Sequence, residues 1–308
     1  MHKFIFRRVL MMIPVLIGVM FIIFTIVYIT PGDPATLLLG DRAEPAAVEA
    51  LREEMGLNDP FLVRFVTYLS HVVQLDFGTS FSTKRPVFEE LADRFPTTAL
   101  LAGLGVLLAI VVGIPMGIAC SIKHHSIFDD IATILGLVAL SIPNFWMALM
   151  LILFFSYNLG WLPVSGIESP AHWIMPTLTL GLSAAGEFMR FTRSSMLEVV
   201  RQDYIRTARA KGQKESAVIF RHALKNALIP IITIVGLSFG SLLGGAVLTE
   251  TVFAIPGVGS FMVQSIRTRD FPIIQGGVLM IAVAFSFVNL IVDILYGLVD
   301  PRIRSQYK

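Results

Sequence analysis

Charge is scarce in this sequence. Only 15% of its 308 residues are Asp, Glu, Lys or Arg, where soluble domains carry roughly 25%. With 55% hydrophobic residues and a mean hydropathy of +0.75, an ordinary soluble domain is excluded. Cysteine is almost missing too: Cys120 stands alone inside an apolar stretch, so there is no intrachain disulfide framework and a packing role is expected. No Gly-x4-Gly-Lys-Ser/Thr phosphate loop and no His-Glu-x2-His zinc pair occur. There is no Gly-x-Ser-x-Gly elbow either. The chain thus lacks any visible means of hydrolysing a nucleotide or a peptide, and we expect a protein that is not itself an enzyme. His124-His125 have no third ligand nearby in sequence, so no metal site is expected. A formal net charge of +2 carries no expectation of a nucleic-acid partner.

What is present is a series of apolar blocks, each about as long as the ~20 residues that cross a bilayer. The first covers residues 9–29 without a charge, after Lys3, Arg7 and Arg8. It is longer than a signal-peptide core of roughly 7–15 residues, so it reads as a retained first span. The second covers 97–122, also uncharged. A third, 131–159, is too long for one upright span and too short for two; Pro143 near its middle predicts one kinked, tilted helix. The fourth, 173–191, is the most marginal. Its six Leu, Ile and Phe residues favour insertion by about −2 to −4 kcal/mol, and Glu187 offsets much of that if deep. The fifth is 226–249 and the sixth 271–298, the latter interrupted only by Asp293. The expectation is an all-α polytopic membrane protein with six transmembrane helices, divided into 1–30, an external segment 31–96 and a five-helix core 97–308.

Lys and Arg placement orients it. With the N-terminus inside, 16 of the 24 cations are cytoplasmic, nine of them between positions 190 and 225. Six of the other eight fall in the long 31–96 segment and only Arg267 and Arg269 in a short outer loop. Both termini are therefore expected in the cytoplasm.

The external segment holds 6 cations and 11 acids. Pro45 opens one short helix ending at Gly56; Asp59-Pro60 reads as an N-cap with a first-turn Pro for a second. Arg85-Pro86 opens a third, with Val87, Phe88, Leu91 and Phe95 on one side. The segment is either a helical cap or a docking surface, and its residues alone leave both open. The basic stretch 193–226 is too long for a simple helix connection. It reads as helix, a stop at Gly212, then helix again; a handle for a soluble partner and a lipid-binding surface fit it equally.

Gly113 and Gly117, and Gly236, Gly240 and Gly244, recur every four residues and predict close helix packing. Intramembrane polar groups add Asn144 after the kink proline, Asn289 with Asp293, and Glu250 at the end of the fifth span, where solvation is expected. The loop 251–272 contains Phe253-Ala-Ile-Pro256-Gly257-Val-Gly259, apolar yet rich in turn formers. A short interfacial or re-entrant helix fits it, and irregular backbone at that depth belongs beside a cavity. Phe253, Pro256, Gly257, Asn144 and Glu250 are accordingly candidates for a translocation path or gate.

Taken in order, the motifs resemble one family along essentially the whole chain. They are Pro31-Gly-Asp-Pro34, Leu57-Asn-Asp-Pro60, Asp76-Phe-Gly78, Asp203-Tyr-Ile-Arg-Thr-Ala-Arg-Ala-Lys-Gly212 and Arg221-His-Ala-Leu-Lys-Asn-Ala-Leu-Ile-Pro230. Glu250, Phe253-Ala-Ile-Pro-Gly-Val-Gly259, Arg269-Asp-Phe-Pro272 and Asp300-Pro-Arg302 complete the set. The chain resembles inner-membrane permease subunits of binding-protein-dependent ABC importers, in the B-type branch of the dipeptide/oligopeptide group. Where that family carries Glu-Ala-Ala ahead of its cytoplasmic Gly, this chain has Arg206-Thr207-Ala208 ahead of Gly212, with the opposite charge at the first position.

The resemblance implies a heterodimer with a second homologous permease, two ATPase subunits and an extracytoplasmic solute-binding protein. It implies no cofactor in this chain, with ATP and Mg bound by the partners. The element at 193–226 becomes the coupling element, with Tyr204, Arg206, Thr207, Ala208, Ala210, Lys211, Gly212 and His222 as its residues. Uptake of di- or oligopeptides is the leading expectation, with nickel chelates, glutathione or another small solute as alternatives. A stand-alone channel or secondary transporter belongs to another class; such proteins often carry internal repeats and midplane ionisable residues, and no repeat is visible here.

Overall fold

Proline and polar residues set where the helices of this chain start and bend. A computed structural model describes residues 2–40 and 42–299, so the Asp300-Pro-Arg302 motif lies outside the described residues. Among those described, the structure is helical apart from a single bridge between Thr79 and Pro86. The first long helix, α1 (His2–Ile29), leads into two short ones, α2 (Pro34–Leu39) and α3 (Pro45–Glu54). Asp33 caps α2 by accepting the Thr36 amide at 3.2 Å. α4 (Phe61–Val73) lays Phe65 and Val72 onto Met20 and Phe24 of α1. The rings of Phe21 and Phe65 meet edge-to-face at 5.4 Å.

Two expectations for this outer region are corrected. Pro60, in extended conformation (ψ 146°), occupies the cap position of α4 with no side-chain cap, so Asp59 lies outside the helix and does not serve as its N-cap. The third short helix is the beginning of the second span: α5 runs unbroken as Val87–Ile122, 36 residues or about 54 Å at 1.5 Å per residue. Pro96 is tolerated inside it because Ala92, whose carbonyl loses its helix partner, sits at an exposed position.

The third apolar block is also not one tilted helix. α6 (Ile127–Ser141) and α7 (Asn144–Leu151), the latter continued by wider π turns over Ile152–Asn158, are bent by 100° about Ile142 and Pro143. The Pro143 ring cannot follow an α-helical carbonyl ladder, and with ψ at 137° it turns the chain before α7 restarts. α8 (Ile174–Val200) covers the fourth block and extends past its inner end. α11 (Leu224–Val252) and α13 (Phe271–Val299) carry the last two. Four described helices are long and apolar enough to cross a membrane, and a fifth crossing results if the bent pair is one span. α8, which contains Glu187, Arg190 and Arg193, is not among them.

The centre is a bundle of α5, α8 and α11. Leu101, Leu180, Phe188 and Leu243 are all essentially inaccessible within it. Glycine lets α5 and α8 touch backbone to backbone: a Cβ at Gly113 would stand 2.5 Å from the Ala185 carbonyl oxygen, and one at Gly117 2.5 Å from that of Met189. Gly236 and Gly240 face Val292 and Phe285 of α13. Gly244 meets nothing within 4 Å, so the close packing expected of it is not made within this chain. Cys120 is fully buried beside Ala132 and Met189. α1 joins α13 through Arg8 and Asp293, 2.9 Å apart.

Candidate functional site

Two regions gather the candidate residues. The first is the elbow between α8 and α11. α8 ends at Val200 and α9 (Asp203–Ala210) begins after two residues, so much of 193–226 belongs to the long helices on either side. α9 is held by one face. Ile205 and Ala208 are buried against Met196 of α8 and against Val218, Ile219 and Ala223. The other face carries Tyr204, Arg206, Thr207 and Ala210, all exposed. This is the amphipathic division expected of a short helix that sits on a bundle and shows a polar surface outward.

The stop at Gly212 is a Schellman turn. The Gly212 amide bonds the Arg209 carbonyl at 2.9 Å and the Gln213 amide bonds that of Ala208 at 3.3 Å. Gly212 takes φ +73°, where an L side chain is strained. Arg209 reaches across the turn to Glu215 at 2.6 Å, and that carboxylate raises the guanidinium pKa further above its ordinary value. Both groups are substantially exposed, so the pair contributes about 0.2–1 kcal/mol. His222 Nε2 lies 2.7 Å from Gln213 Oε1, which ties the turn to the following helix. Lys211 and Gly212 are exposed at its tip. Ala208 is 7% exposed and packs in the seat that holds the elbow on the bundle.

A polar cluster braces the same end of the bundle, and the sequence reading did not single it out. Asp129, 1% exposed, receives two bonds from Arg193 at 2.6 and 2.7 Å and the His125 amide at 3.1 Å. His124 Nδ1 lies 3.1 Å from both the Asp129 carboxylate and the Arg193 guanidinium. The bidentate pair joins the first turn of α6 to α8. No group of side chains fit to hold a metal ion occurs among the described residues.

The second region is the loop between α11 and α13. α11 ends in another Schellman turn, with the Ile255 amide on the Glu250 carbonyl at 2.8 Å. The left-handed residue there is Ala254, at φ +51°. Phe253 and Ile255 drop into the central core, each 1% exposed, whereas Pro256 stays exposed. α12 (Val258–Thr268) follows as a short helix packed on α5, α11 and α13.

Glu250 organises this loop and is not solvated, contrary to expectation. It is fully buried, accepts the Thr98 hydroxyl at 2.6 Å and accepts the Ser260 amide at 2.9 Å. A carboxylate at the first turn of α12 is favoured by the free amides and dipole of that helix end. Gly257 is needed because a side chain there would enter the Glu250 carboxylate, and Gly259 because one would run into Val247 first and that carboxylate next. Thr98 and Ser260 were not legible as partners, since nothing in their local sequence marks them. Asn144 opens α7 half-buried, makes no side-chain hydrogen bond among the described residues and does not join this set. At the far end of α12, buried Asp270 accepts Ser80 Oγ at 2.6 Å and the Phe81 and Ser82 amides at 3.1 and 3.0 Å.

Long helices around a glycine-seamed core, with an amphipathic elbow at one end, make up the fold. Solved structures share it. A chain of the MetNI methionine ABC transporter, in an inward-facing conformation, matches with a TM-score of 0.59 at 17% identity, over 68% of this chain and 96% of the other. A chain of an amino acid ABC transporter solved with histidines matches with a TM-score of 0.56 at 14% identity, over 68% and 93%. The chain shares the fold of these two transporter chains.

The sequence narrows this further. Residues 109–305 match the binding-protein-dependent transport system inner membrane component, and residues 1–102 match the N-terminal part of such membrane components. The chain belongs to the family of binding-protein-dependent transport system inner membrane components. It is 42% identical to the dipeptide transport system permease protein DppB of Alkalihalophilus pseudofirmus, over 97% of this chain and 98% of that protein. It is 42% identical to the glutathione transport system permease protein GsiC of Salmonella choleraesuis and 40% identical to GsiC of Escherichia coli K12, over 99% of both chains in each case. This is a multi-pass inner-membrane protein and the permease subunit of an ABC importer, as the motif resemblance implies.

Proposed function

We propose that this chain forms half of the translocation path for di- or oligopeptides, driven by ATPase subunits that grip the elbow around α9. It pairs with a second homologous permease, receives solute from an extracytoplasmic binding protein, and leaves ATP and Mg to two ATPase subunits. Six spans cross the membrane, the bent α6–α7 pair and α8 supplying the third and fourth, with both termini and the elbow in the cytoplasm.

The observation that carries this reading is the division of α9. Ile205 and Ala208 are sealed into the bundle beside Met196, so force on the exposed Tyr204–Arg206–Thr207 face passes directly into α8 and α11. The names of DppB and GsiC, a dipeptide and a glutathione permease, support a small peptide-like solute. The external segment on α1 fits the position of a surface that meets the binding protein.

Purification in mild detergent, together with thiol labelling, tests the assembly. Co-purification of two ATPase subunits and a second permease is expected. A cysteine introduced by Lys211→Cys, in a Cys120→Ala background, should react with a membrane-impermeant maleimide only from the cytoplasmic side. Labelling from the outer side, or ATP-independent transport by a homo-oligomer, overturns the reading. Ala208→Trp should overfill the seat of α9 and abolish uptake while the protein still inserts; normal uptake with that substitution refutes the role of the elbow.

A further inference from the structure

Glu187 is the central residue of its helix. Thirteen positions separate it from each end of α8, Ile174 and Val200, so it lies about 20 Å from either end at 1.5 Å per residue. Its contact is with another midpoint. Ser238 stands fourteen positions from each end of α11, Leu224 and Val252, and donates its hydroxyl to Glu187 Oε2 at 3.0 Å. The one bond therefore joins two long helices midpoint to midpoint, far from the ends of either.

Among the described residues no cation completes this site. Among the described residues no Lys, Arg or His lies within 4 Å of the Glu187 carboxylate. Arg193, two turns along α8, is held by Asp129. A carboxylate has room for about four hydrogen bonds, and Ser238 supplies one.

The surroundings are unlike a lipid-facing surface. Along α8, Ser183 and Glu187 are half-buried on one stripe, with Arg190 and Ser194 exposed farther along it. Beside Ser238, α11 leaves Ser241 and Gly244 exposed, and a Cβ at Gly244 or Gly245 meets nothing within 4 Å. Ionisable residues at membrane depth face the interior of an assembly or a water-filled cavity, and mark solute pathways by default. Small and hydroxyl-bearing residues beside open space fit such a cavity wall.

We infer that Glu187, assisted by the hydroxyl-bearing residues around Ser238, is a station on the translocation path that takes the protonated amino group of the solute. This rests on the importer reading. An ammonium brings three donors and no acceptor, the complement of a carboxylate flanked by serine hydroxyls. The station specifies a positive end and leaves side-chain identity unread, as suits a path shared by many peptides.

The test uses the complete complex of both permeases, the ATPases and the binding protein in proteoliposomes, with dialanine as the probe. Glu187→Gln keeps the shape and the bond to Ser238 but removes the charge. Its dialanine uptake should fall about tenfold or more, while complex yield and ATP hydrolysis stimulated by the binding protein are retained. Glu187→Asp should recover much of the rate, and Glu187→Lys should fall below the Gln variant. Uptake by the Gln variant equal to that of the unmodified complex overturns the inference. So does equal loss in the Gln and Lys variants. Loss of the second permease from the purified Gln variant also overturns it, because the carboxylate then pairs with a cation of that subunit. Absence of ATP-driven uptake by the unmodified complex would instead remove the importer reading, and this inference with it.

Discussion

Thr98 on α5 donates its hydroxyl to the Glu250 carboxylate on α11 at 2.6 Å, and the same oxygen accepts the Val258 amide at 2.9 Å. Two segments, 152 and 160 positions away in sequence, close on one small side chain. The outer loop is thereby fixed to the bundle at the first turn of α12. In an importer, a path that opens outward has to carry this joint along with α5 and α11 or break it.

Thr98→Val preserves volume and removes the hydroxyl. Leaving a buried amide and a buried carboxylate short of a partner costs about 1–3 kcal/mol for each group. The thermal midpoint of the purified protein should drop clearly, and thiol reactivity of cysteines introduced along α12 should rise. Thr98→Ser should stay close to the native protein. Equal melting of the native and Val proteins would show that the joint contributes nothing.

The two kinds of glycine separate cleanly. Gly117→Val drives carbon into the Met189 carbonyl and the Thr192 side chain, and overpacking of this kind costs about 1–3 kcal/mol. Gly244→Ala enters open space and should leave the melting of the isolated chain unchanged or slightly raised, because Ala is the better helix former. A reversed order in a thermal-shift assay would refute the assignment of the α5–α8 seam.

Ala254 is in the left-handed region at φ +51°. An L residue there is disfavoured by about 1–2 kcal/mol, and glycine is not. Ala254→Gly is expected to stabilise the loop by about 0.5–1 kcal/mol, after the greater flexibility of glycine in the unfolded chain is set against it. The check is a rise in the thermal midpoint with uptake unchanged.

Asp270 accepts three donors from residues 80–82. Asp270→Asn presents an amide NH2 where one of those donors now points, and weakens charge-assisted bonds that contribute about 1.5–3 kcal/mol each. The segment 79–86 should become accessible to limited proteolysis while the helical circular dichroism persists. An unchanged cleavage pattern would contradict the role of Asp270 as the anchor of that segment.

The apolar blocks were readable because hydropathy accumulates residue by residue, and 9–29, 97–122, 226–249 and 271–298 each fall within a long helix. The elbow at Gly212 was readable because a helix stop is local chemistry. Element boundaries were less so. The continuity of α5 from Val87 into the second span was obscured by Pro96, whose effect depends on whether the freed carbonyl meets water. The 100° break at Pro143 was read as a kink, since a proline in sequence does not state the angle its neighbours will allow.

The candidate site divides the same way. Glu250 and Gly257 stood out as an acid at a span end and a turn former, but their meaning reversed on folding: Glu250 is buried, and Gly257 is small because Glu250 is there. Ala208, named among the residues of the coupling element, is buried in the seat of α9.

Composition and the order of motifs were sufficient by themselves to determine a multi-pass membrane protein and the family to which it belongs. Only the tertiary structure decided which polar groups are spent on one another. Those pairs — Thr98 with Glu250, Arg193 with Asp129, Ser238 with Glu187 — span 51 to 152 positions. The reason is physical: burial propensity is a property of each residue, whereas the partner that makes burial of a polar group tolerable is chosen by how helices pack.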